Sequence, residues 1–385
     1  MLRLRTLALT MLVAAACTGT TSGGDDAAVD GAIPPIDAAG DIDAAIDAAI
    51  DAAIDAAVDA PLAPCDMPAM GEEVATLAGC PSAGAADGVR GMARFANPVN
   101  VLAGDGEVYV ADFDNGRIRA VAPDGATRTL VMASNFRRPF GLALHAGVLY
   151  VSTDDNDLGA HSSTTGTVWR VDLASGAATV VARDLGRPRG LAALPDGRLV
   201  LSDYVHHTVS LLTPTTGEVV VLAGARDQPG YADGRGAAAR FDGAYGVALL
   251  ADGRIAVADY NNHRLRAITL AGDVTTLAGT GARGRADGLA ASASFGSPQA
   301  LATDAAGRLY VSDTDSFTVR VLADGAVATV AGAGTGGWLD GPRLTAQFWG
   351  LEGLAVAADG RTLWVADGSR GEDVPYHRVR RVELP

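Results

Sequence analysis

An acidic run in the middle of the chain has the residue types and spacing to bind a cation. Asp154, Asp155 and Asp157 lie close together, with Asn156 between them. Carboxylate and amide oxygens are the ligands that Ca²⁺ prefers, so the run predicts a calcium site. The alternative is a solvated acidic turn, because no complete calcium-loop motif is present. Residues 368–376 form a similar insertion with two further acidic residues.

A second set of candidates lies at the start of six similar apolar segments, with one residue in each. The set comprises Val99, Phe140, Arg189, Tyr245, Gln299 and Glu352. Two aromatic rings with one cation, one anion and one amide are typical of a small-molecule pocket, which has apolar walls and few polar groups. These side chains are predicted to converge on a central channel, with Arg189 and Glu352 on opposite sides and not in direct contact. The alternative is that they only plug the channel.

The six histidines are the other candidates for catalysis, because histidine titrates near neutral pH. His207, His263 and His377 occupy one position of a repeated phrase, and this repetition favours a structural role in a turn. No Ser-His-Asp or Cys-His arrangement can be assembled from the sequence alone. The sequence therefore names no catalytic residue.

The candidates are positioned by a phrase that recurs along the second part of the chain. Its six copies begin at Val108, Leu149, Leu199, Ile255, Leu309 and Leu363. Each copy is short, rich in β-branched and aromatic residues, and follows a turn signal such as Asp252-Gly253 or its equivalent, so each predicts a strand. An apolar segment upstream, an arginine-containing segment downstream and a Thr-Leu-Ala-Gly phrase predict three more strands in each repeat.

The Thr-Leu-Ala-Gly phrase indicates how the repeats close. It follows only five complete repeats, and a sixth copy stands at the front, at residues 76–79. The counts agree if the first strand completes the last repeat, with residues 74–78 beside residues 378–383. Radial repetition of four-stranded blades leaves only short, protected edges. The sequence therefore predicts an all-β, six-bladed ring whose N-terminal strand closes the last blade.

The repeats also resemble a known family. Residues 259–265, Asp-Tyr-Asn-Asn-His-Arg-Leu, resemble the Asn-His-Leu motif of the NHL repeat, and the segment 230–241 recurs at 84–95, 284–295 and 336–348. The resemblance covers residues 73–385 and implies a six-bladed β-propeller. A fold of this kind does not by itself imply an activity.

The resemblance also implies an enzymatic alternative. Similar propellers include the gluconolactonases and the peptidyl amidating lyases, which use a metal at the channel mouth. Gluconolactonase-like sites use a Glu, an Asn and an Asp around one cation; Glu352 and Asn100 lie at inner-strand starts, but no third ligand matches by motif. We therefore expect a binding or scaffolding module for a protein or a small ligand. A metal-dependent hydrolase or lyase is the alternative, and Ca²⁺ is the one candidate cofactor.

The N-terminal residues are typical of a bacterial lipoprotein. Arg3 and Arg5 precede an apolar stretch, residues 7–16, which is too short to span a bilayer, and Cys17 follows at the cleavage point. This pattern resembles a lipobox, whose cysteine is lipidated, although Ala14 stands where that family prefers Leu. We expect Cys17 to anchor the protein in the cell envelope, at the outer membrane or in the periplasm. A plain secreted protein is the alternative.

A low-complexity segment separates the expected signal peptide, residues 1–16, from the expected propeller, residues 71–385. Within the intervening residues 17–70, the sequence Ile-Asp-Ala-Ala repeats with a period of four across residues 42–60. This period drifts by about 40° per repeat against an α-helix, so the apolar residues do not form one docking face. We expect a spacer, and a partner-binding coiled coil is the alternative.

The net charge limits the classes of partner that we expect, and the cysteine content indicates a cross-link. The net charge is −15, and eleven aspartates fall within residues 18–70. Without a basic face to neutralise phosphates, nucleic acid is not an expected partner. Cys65 and Cys80 predict a disulfide in an oxidising compartment, with two free thiols as the alternative. We expect a monomer whose only membrane contact is its lipid anchor.

Overall fold

The computed structural model describes residues 64–68, 70–372 and 374–385. These residues form six antiparallel sheets, and the innermost strands of successive sheets contact one another in a closed cycle. The chain is therefore a six-bladed β-propeller, as predicted. No helix in this described part is both long and apolar enough to cross a membrane. Cys17, the signal peptide and nearly all of the spacer lie outside the described residues.

The strands follow the predicted order, beginning with β1 (Val74–Gly79). Blades 1 and 2 comprise β2 (Pro98–Ala103), β3 (Val108–Asp112), β4 (Arg117–Val121), β5 (Thr127–Met132), β6 (Pro139–His145), β7 (Val148–Thr153), β8 (Thr167–Val171) and β9 (Ala178–Ala182). Blades 3 and 4 comprise β10 (Pro188–Ala193), β11 (Leu199–Asp203), β12 (Thr208–Thr213), β13 (Glu218–Ala223), β14 (Gly234–Arg235), β15 (Ala244–Leu249), β16 (Ile255–Asp259), β17 (Arg264–Ile268) and β18 (Asp273–Ala278). Blades 5 and 6 comprise β19 (Gly288–Leu289), β20 (Pro298–Thr303), β21 (Leu309–Asp313), β22 (Thr318–Ala323), β23 (Ala326–Ala331), β24 (Gly350–Val356), β25 (Thr362–Gly368) and β26 (Arg378–Glu383).

The ring closes through its first and last strands. β1 pairs antiparallel with β26, which places Val74 opposite Val382 and Gly79 opposite Arg378. All six residues of β1 are buried, and the order in this sheet is β1-β26-β25-β24. The predicted closure of the last blade by the N-terminal strand is confirmed.

Four blades have their outer edge covered by the segment that precedes them. β14 pairs with β18 and β19 pairs with β23, so blades 4 and 5 have five strands. In blades 1 and 6 the cover is a single bridge, Gly88 to Thr127 and Gly341 to Val74. Blades 2 and 3 follow short connections, and no strand of the described part pairs with the outer edge of β9 or β13. The two-residue strands were not predicted, because two residues carry no periodicity.

The same four blades bury an arginine between two aspartates. In blade 4, Arg266 donates to Asp259 at 2.7 Å and to Asp233 at 2.5 Å, and its guanidinium lies 5.3 Å from the ring centre of Phe241. We call this group an arginine clamp: an arginine of the third strand, an aspartate at or next to the end of the second strand, and an aspartate of the preceding segment. The other clamps are Arg119 with Asp112 and Asp87, Arg320 with Asp313 and Asp287, and Arg380 with Asp367 and Asp340. Each clamp fastens the covering segment to its blade.

Blade 2 has a neutral counterpart of the clamp. Trp169 pairs with Val151 in the register where Arg266 pairs with Val257. Its indole Nε1 donates to Thr153 Oγ1 at 2.8 Å, and the ring of Phe136 packs against it at 5.4 Å. The position therefore accepts either a charged or an uncharged set of side chains.

A disulfide joins Cys65 to Cys80, whose Cα atoms are 6.0 Å apart. The two cysteines are separated by 15 residues, and β1 lies between them. A loop of this length stabilises the fold by about 3 kcal/mol in the chain-entropy model. The cross-link connects the chain before the closing strand directly to the chain after it.

Candidate functional site

Five of the predicted ring residues line one end of a central cavity. Phe140, Arg189, Tyr245, Gln299 and Glu352 come from blades 2 to 6 and face a space of about 400 Å³. This volume lies within the range of small-ligand pockets. Tyr245 is half-buried, and the other four are buried. The first strands of the blades therefore bring together side chains that are far apart in the sequence.

Blade 1 contributes a different residue from the one predicted. Val99 does not line the cavity; it is 2% exposed and packs in a core cluster that includes Phe140. Its short branched side chain fills the space between blades 1 and 2. The next residue, Asn100, lines the cavity instead.

Glycines allow the inner strands to approach one another at this end of the channel. One follows each of four ring residues, at Gly141, Gly190, Gly246 and Gly353. A Cβ on Gly246 would overlap the carbonyl oxygen of Gln299, and a Cβ on Gly353 would lie 2.5 Å from the Cα of Asn100. The missing side chains therefore permit the close spacing that makes the ring residues converge.

Serines of the second strands hold the backbone of the ring. The Ser202 hydroxyl donates to the carbonyl of Tyr245, and the Ser312 hydroxyl donates to the carbonyl of Glu352 at 3.4 Å. Ser202 also accepts the N–H of Gly190 at 2.8 Å. Each serine thus ties its own blade to the first strand of the next blade and fixes where the ring side chain begins.

Arg189 is held in one orientation on the channel wall. Its Nη2 donates to Asp154 at 3.0 Å, and its guanidinium lies 4.1 Å from the ring centre of Phe140. Asp154 is fully buried and also accepts from Arg187 at 2.7 Å, so two guanidinium groups share one carboxylate. In the described part of the chain, Arg189 Nη1 and Asp154 Oδ1 are buried without a hydrogen-bond partner, as are the Nε atoms of the clamp arginines. Leaving such an atom unpaired costs about 1–3 kcal/mol, which suits a site that receives a polar group.

Glu352 faces Arg189 from the opposite blade. Burial raises the pKa of Glu352 to about 7, although the charges of Arg189 and Arg370 and a hydrogen bond from Gln299 favour the carboxylate. The nearby charge of Asp114 acts in the same direction as burial. The mouth therefore contains an acid that titrates near neutral pH, a property that clusters at functional sites.

A chain of aromatic rings borders the same end of the channel. Ring-centre distances are 6.1 Å for Phe113–Phe140, 5.7 Å for Phe140–Tyr245, 5.2 Å for Tyr204–Tyr245 and 5.4 Å for Tyr245–Tyr260. Burial raises the pKa of both Tyr245 and Tyr260, so both phenols keep their protons at neutral pH. This wall offers flat apolar surface together with hydroxyl groups.

The acidic run predicted to bind Ca²⁺ is divided among arginines. The pairs are Asp154–Arg187 at 2.7 Å, Asp155–Arg138 at 3.2 Å and Asp157–Arg183 at 2.6 Å. Among the described residues, no group of three or more His, Cys, Asp or Glu side chains is arranged to hold a metal ion. The calcium site stays a prediction, and in this structure Asp154 contributes to the channel mouth through Arg189.

The repeated histidines lie in the turns after the second strands. His207 Nδ1 accepts the N–H of Gly243 at 2.9 Å, and His377 Nδ1 accepts the N–H of Asn97 at 3.0 Å. His207 and His263 have left-handed backbones, with φ of 57° and 54°. Burial lowers the pKa of His377, which keeps its ring neutral and able to accept. These contacts link neighbouring blades and leave the channel to other residues.

Arg370 lies close enough to Glu352 to act on its charge, and the sequence did not indicate it. It lies in the insertion of blade 6, donates to Asp315 at 2.7 Å and acts on the charge of Glu352. The sequence shows the insertion, but its two acidic residues suggest a cation site instead, and one of them, Asp373, lies outside the described residues. A search for basic residues in loops at the channel mouth would have found Arg370.

Residues 241–268 match the family model of the NHL repeat. This match and the fold confirm the predicted resemblance to NHL-type propellers. Across 86 residues the chain is 37% identical to Protein SUPPRESSOR OF QUENCHING 1, chloroplastic, from Arabidopsis thaliana. The match takes in 22% of this chain and 8% of that protein, so the chain spans only a small part of this curated relative.

Several solved structures share the fold. A protein of unknown function from Bacteroides thetaiotaomicron superimposes with a TM-score of 0.66 and 22% identity, over 81% of this chain and 76% of that chain. An auxiliary nutrient binding protein from the same species superimposes with a TM-score of 0.64 and 16% identity, over 80% of this chain and 75% of that chain. A gluconolactonase from Xanthomonas campestris superimposes with a TM-score of 0.54 and 16% identity, over 84% of this chain and 96% of that chain. At these identities the likeness shows the fold alone.

Proposed function

We propose that this protein is a binding module that holds a small ligand at the mouth of its channel and is lipid-anchored outside the cytoplasm. The observation that carries the proposal is Arg189, a residue of the cavity wall whose Nη1 is buried without a partner and whose contact with Asp154 holds it rigid. A rigid donor loses little conformational entropy when a ligand accepts its hydrogen bond. Propellers of the same fold include a nutrient-binding protein and a gluconolactonase, so the fold accommodates small molecules.

The other mouth residues support the proposal by their variety. Glu352 offers an acid, Gln299 an amide and Tyr245 a phenol, and all three line the same cavity as Arg189. A few polar groups on an otherwise apolar wall orient a ligand and select it. A scaffolding role for a protein partner would not by itself require this enclosed set of polar groups.

Ligand-induced stabilisation tests the proposal. Small molecules screened against the full chain should include at least one that stabilises it, by about 2.7 kcal/mol when the ligand stands at 100 times its Kd. Arg189→Met should abolish this stabilisation, because it removes the fixed donor. Arg187 remains to pair Asp154, so the variant should still fold. Thermal denaturation with and without each compound provides the measurement.

Arg254→Met is the matched control for that screen. Arg254 pairs with Asp252 in the turn between β15 and β16, at the other end of the blade from the mouth. The control should respond to the ligand as the natural protein does. Equal stabilisation of the Arg189→Met protein by every active compound would contradict the proposed site.

The anchor makes a separate prediction. Cys17→Ala should move the protein from the membrane fraction to the soluble fraction of a bacterium that processes lipoproteins, because the lipidated residue is lost. Thr21→Ala, four positions along the same segment, should leave the protein in the membrane fraction. Immunodetection in the separated fractions is the readout, and membrane retention of the Cys17→Ala protein would rule out the lipid anchor.

A further inference from the structure

We infer that the ligand of the channel mouth is an α-amino acid with an apolar side chain, whose carboxylate binds Arg189 and whose ammonium group binds Glu352. The inference rests on the proposed function and names the class of ligand for the same site. Three features of the mouth carry it: a fixed cation, a buried acid that faces it, and an apolar wall beyond both. Each feature corresponds to one part of such a molecule.

The blade 3 wall suits a carboxylate. Arg187 and Arg189 together carry two positive charges, and Asp154 supplies one negative charge between them. The wall therefore keeps one unit of positive charge, and Arg189 Nη1 has no partner among the described residues. Guanidinium groups bind carboxylates through short, charge-assisted hydrogen bonds. A carboxylate would neutralise this positive charge, whereas an uncharged acceptor would not.

The blade 6 wall suits an ammonium group. Glu352 is 9% exposed and lines the cavity, and the side chain of Gln299 hydrogen-bonds its carboxyl group. Gln299 is itself oriented, since its Oε1 accepts from Thr314 at 2.8 Å. A buried carboxylate is costly without a partner of opposite charge, and an ammonium group would be that partner. Arg189 and Glu352 stand on opposite blades, so one small molecule with both charges can bridge them.

The deeper channel suits an apolar side chain. Two positions beyond each ring residue, the inner strands place apolar residues on the cavity wall: Leu142, Leu191, Val247, Leu301 and Leu354. Two residues of a strand span about 7 Å, so these side chains lie one step further into the channel. A ligand whose charged end stays between Arg189 and Glu352 would direct its side chain among them. Burial of that side chain would add affinity that a charged or strongly polar side chain could not gain.

Glu352 also gives the inference a pH signature. Its pKa of about 7 reflects burial opposed by Arg189, Arg370 and Gln299 and assisted by Asp114. The phenol of Tyr245 also faces Glu352, and burial raises its pKa, so it keeps its proton near neutral pH. Since only the ionised carboxylate binds an ammonium group strongly, affinity should rise with pH. Between pH 6 and pH 8 the expected gain is about tenfold.

The test compares L-leucine with two analogues that each lack one charge. Calorimetric titration of the full chain at pH 8 uses L-leucine, 3-methylbutylamine and 4-methylpentanoate as probes. L-leucine should bind at least about tenfold more tightly than either analogue, because each lost ion pair costs about 1.4 kcal/mol or more. Arg189→Met should remove the preference over the amine. Glu352→Gln should remove the preference over the carboxylate and also the pH dependence.

Matched controls separate the mouth from the rest of the protein. Glu107→Gln and Arg254→Met change the same residue types in turns at the other end of the blades, and both should bind L-leucine as the natural protein does. Asp114→Asn should keep a pH dependence but move it to lower pH, because the charge of Asp114 raises the pKa of Glu352. Equal affinity for L-leucine and either analogue, or no binding of L-leucine, would overturn the inference. In both cases a different compound that stabilises the natural protein but not Arg189→Met would leave the proposed function standing.

Discussion

Removal of residues 73–79 should open the ring and lower the Tm by more than about 10 °C. The deleted segment contains β1, all six residues of which are buried. Burial of Val74 and Leu77 alone stabilises the fold by about 1.5–3 kcal/mol each. The Thr76 N–H and hydroxyl also bond to Asp340, at 2.8 Å and 3.1 Å, and Asp340 belongs to the clamp of Arg380. Loss of β1 would therefore both expose the edge of β26 and weaken the clamp of blade 6.

A deletion of equal length provides the control for ring opening. Residues 43–49 lie in the Ile-Asp-Ala-Ala repeat, outside the described residues. Their removal should leave the Tm unchanged if the propeller begins at residue 71, as we expect. Scanning calorimetry of both deletion proteins beside the natural protein makes the comparison. An unchanged Tm after removal of residues 73–79 would contradict closure by β1.

Arg266→Met should destabilise the fold by about 3–5 kcal/mol, the effect expected when one partner of a buried ion pair is removed. Arg266 is 0% exposed and binds Asp259, Asp233 and two backbone carbonyls. Methionine fills much of the space but donates no hydrogen bond. Asp259 would then be a buried carboxylate without its cation. Urea unfolding of the natural and variant proteins measures the difference.

The destabilisation caused by Arg266→Met should also depend on pH. Burial raises the pKa of Asp259 to about 6, while Arg266 opposes that rise. Without Arg266 the pKa should rise further, so the folded variant binds a proton that the unfolded chain has lost above pH 4. A raised folded-state pKa stabilises at low pH, and this contribution disappears as pH rises through it. The variant should therefore lose more stability, relative to the natural protein, at pH 8 than at pH 5.

The exposed arginine Arg254 again supplies the control. Its partner Asp252 lies on the surface, and such pairs contribute little. Arg254→Met should change the free energy of unfolding by less than about 0.5 kcal/mol. If Arg266→Met also changed it by less than about 1 kcal/mol, the clamp would not stabilise the blade.

The repeats made the fold predictable from one sequence. Six similar phrases, such as the one at Val108 and the one at Ile255, independently indicated the same strand after the same turn. The extra Thr-Leu-Ala-Gly phrase near Leu77 fixed the closure by counting alone. Repetition thus supplied the evidence that an alignment of relatives would otherwise provide. The five ring residues could be named because each lies near the start of an equivalent strand.

The contacts between blades could not be predicted. Asp154 and Arg189 belong to different blades, and their pairing depends on how a loop of one blade reaches the first strand of the next. The placement of Val99 in the core was missed for the same reason, since side-chain length decided it. The clamps did leave a signal, because Arg266 follows Asp259 by seven residues and Arg320 follows Asp313 by the same interval. That regularity predicts the strand but not the partners of its arginine.

The disulfide has a mechanical consequence for a tethered protein. A pull on the chain before Cys65 passes through the disulfide to Cys80 and from there into the segment that leads to blade 1. β1 lies inside the closed loop, so the force bypasses its hydrogen bonds with β26. The strand that seals the ring therefore carries no tension from that side, and the seal is as strong in a stretched molecule as in a relaxed one.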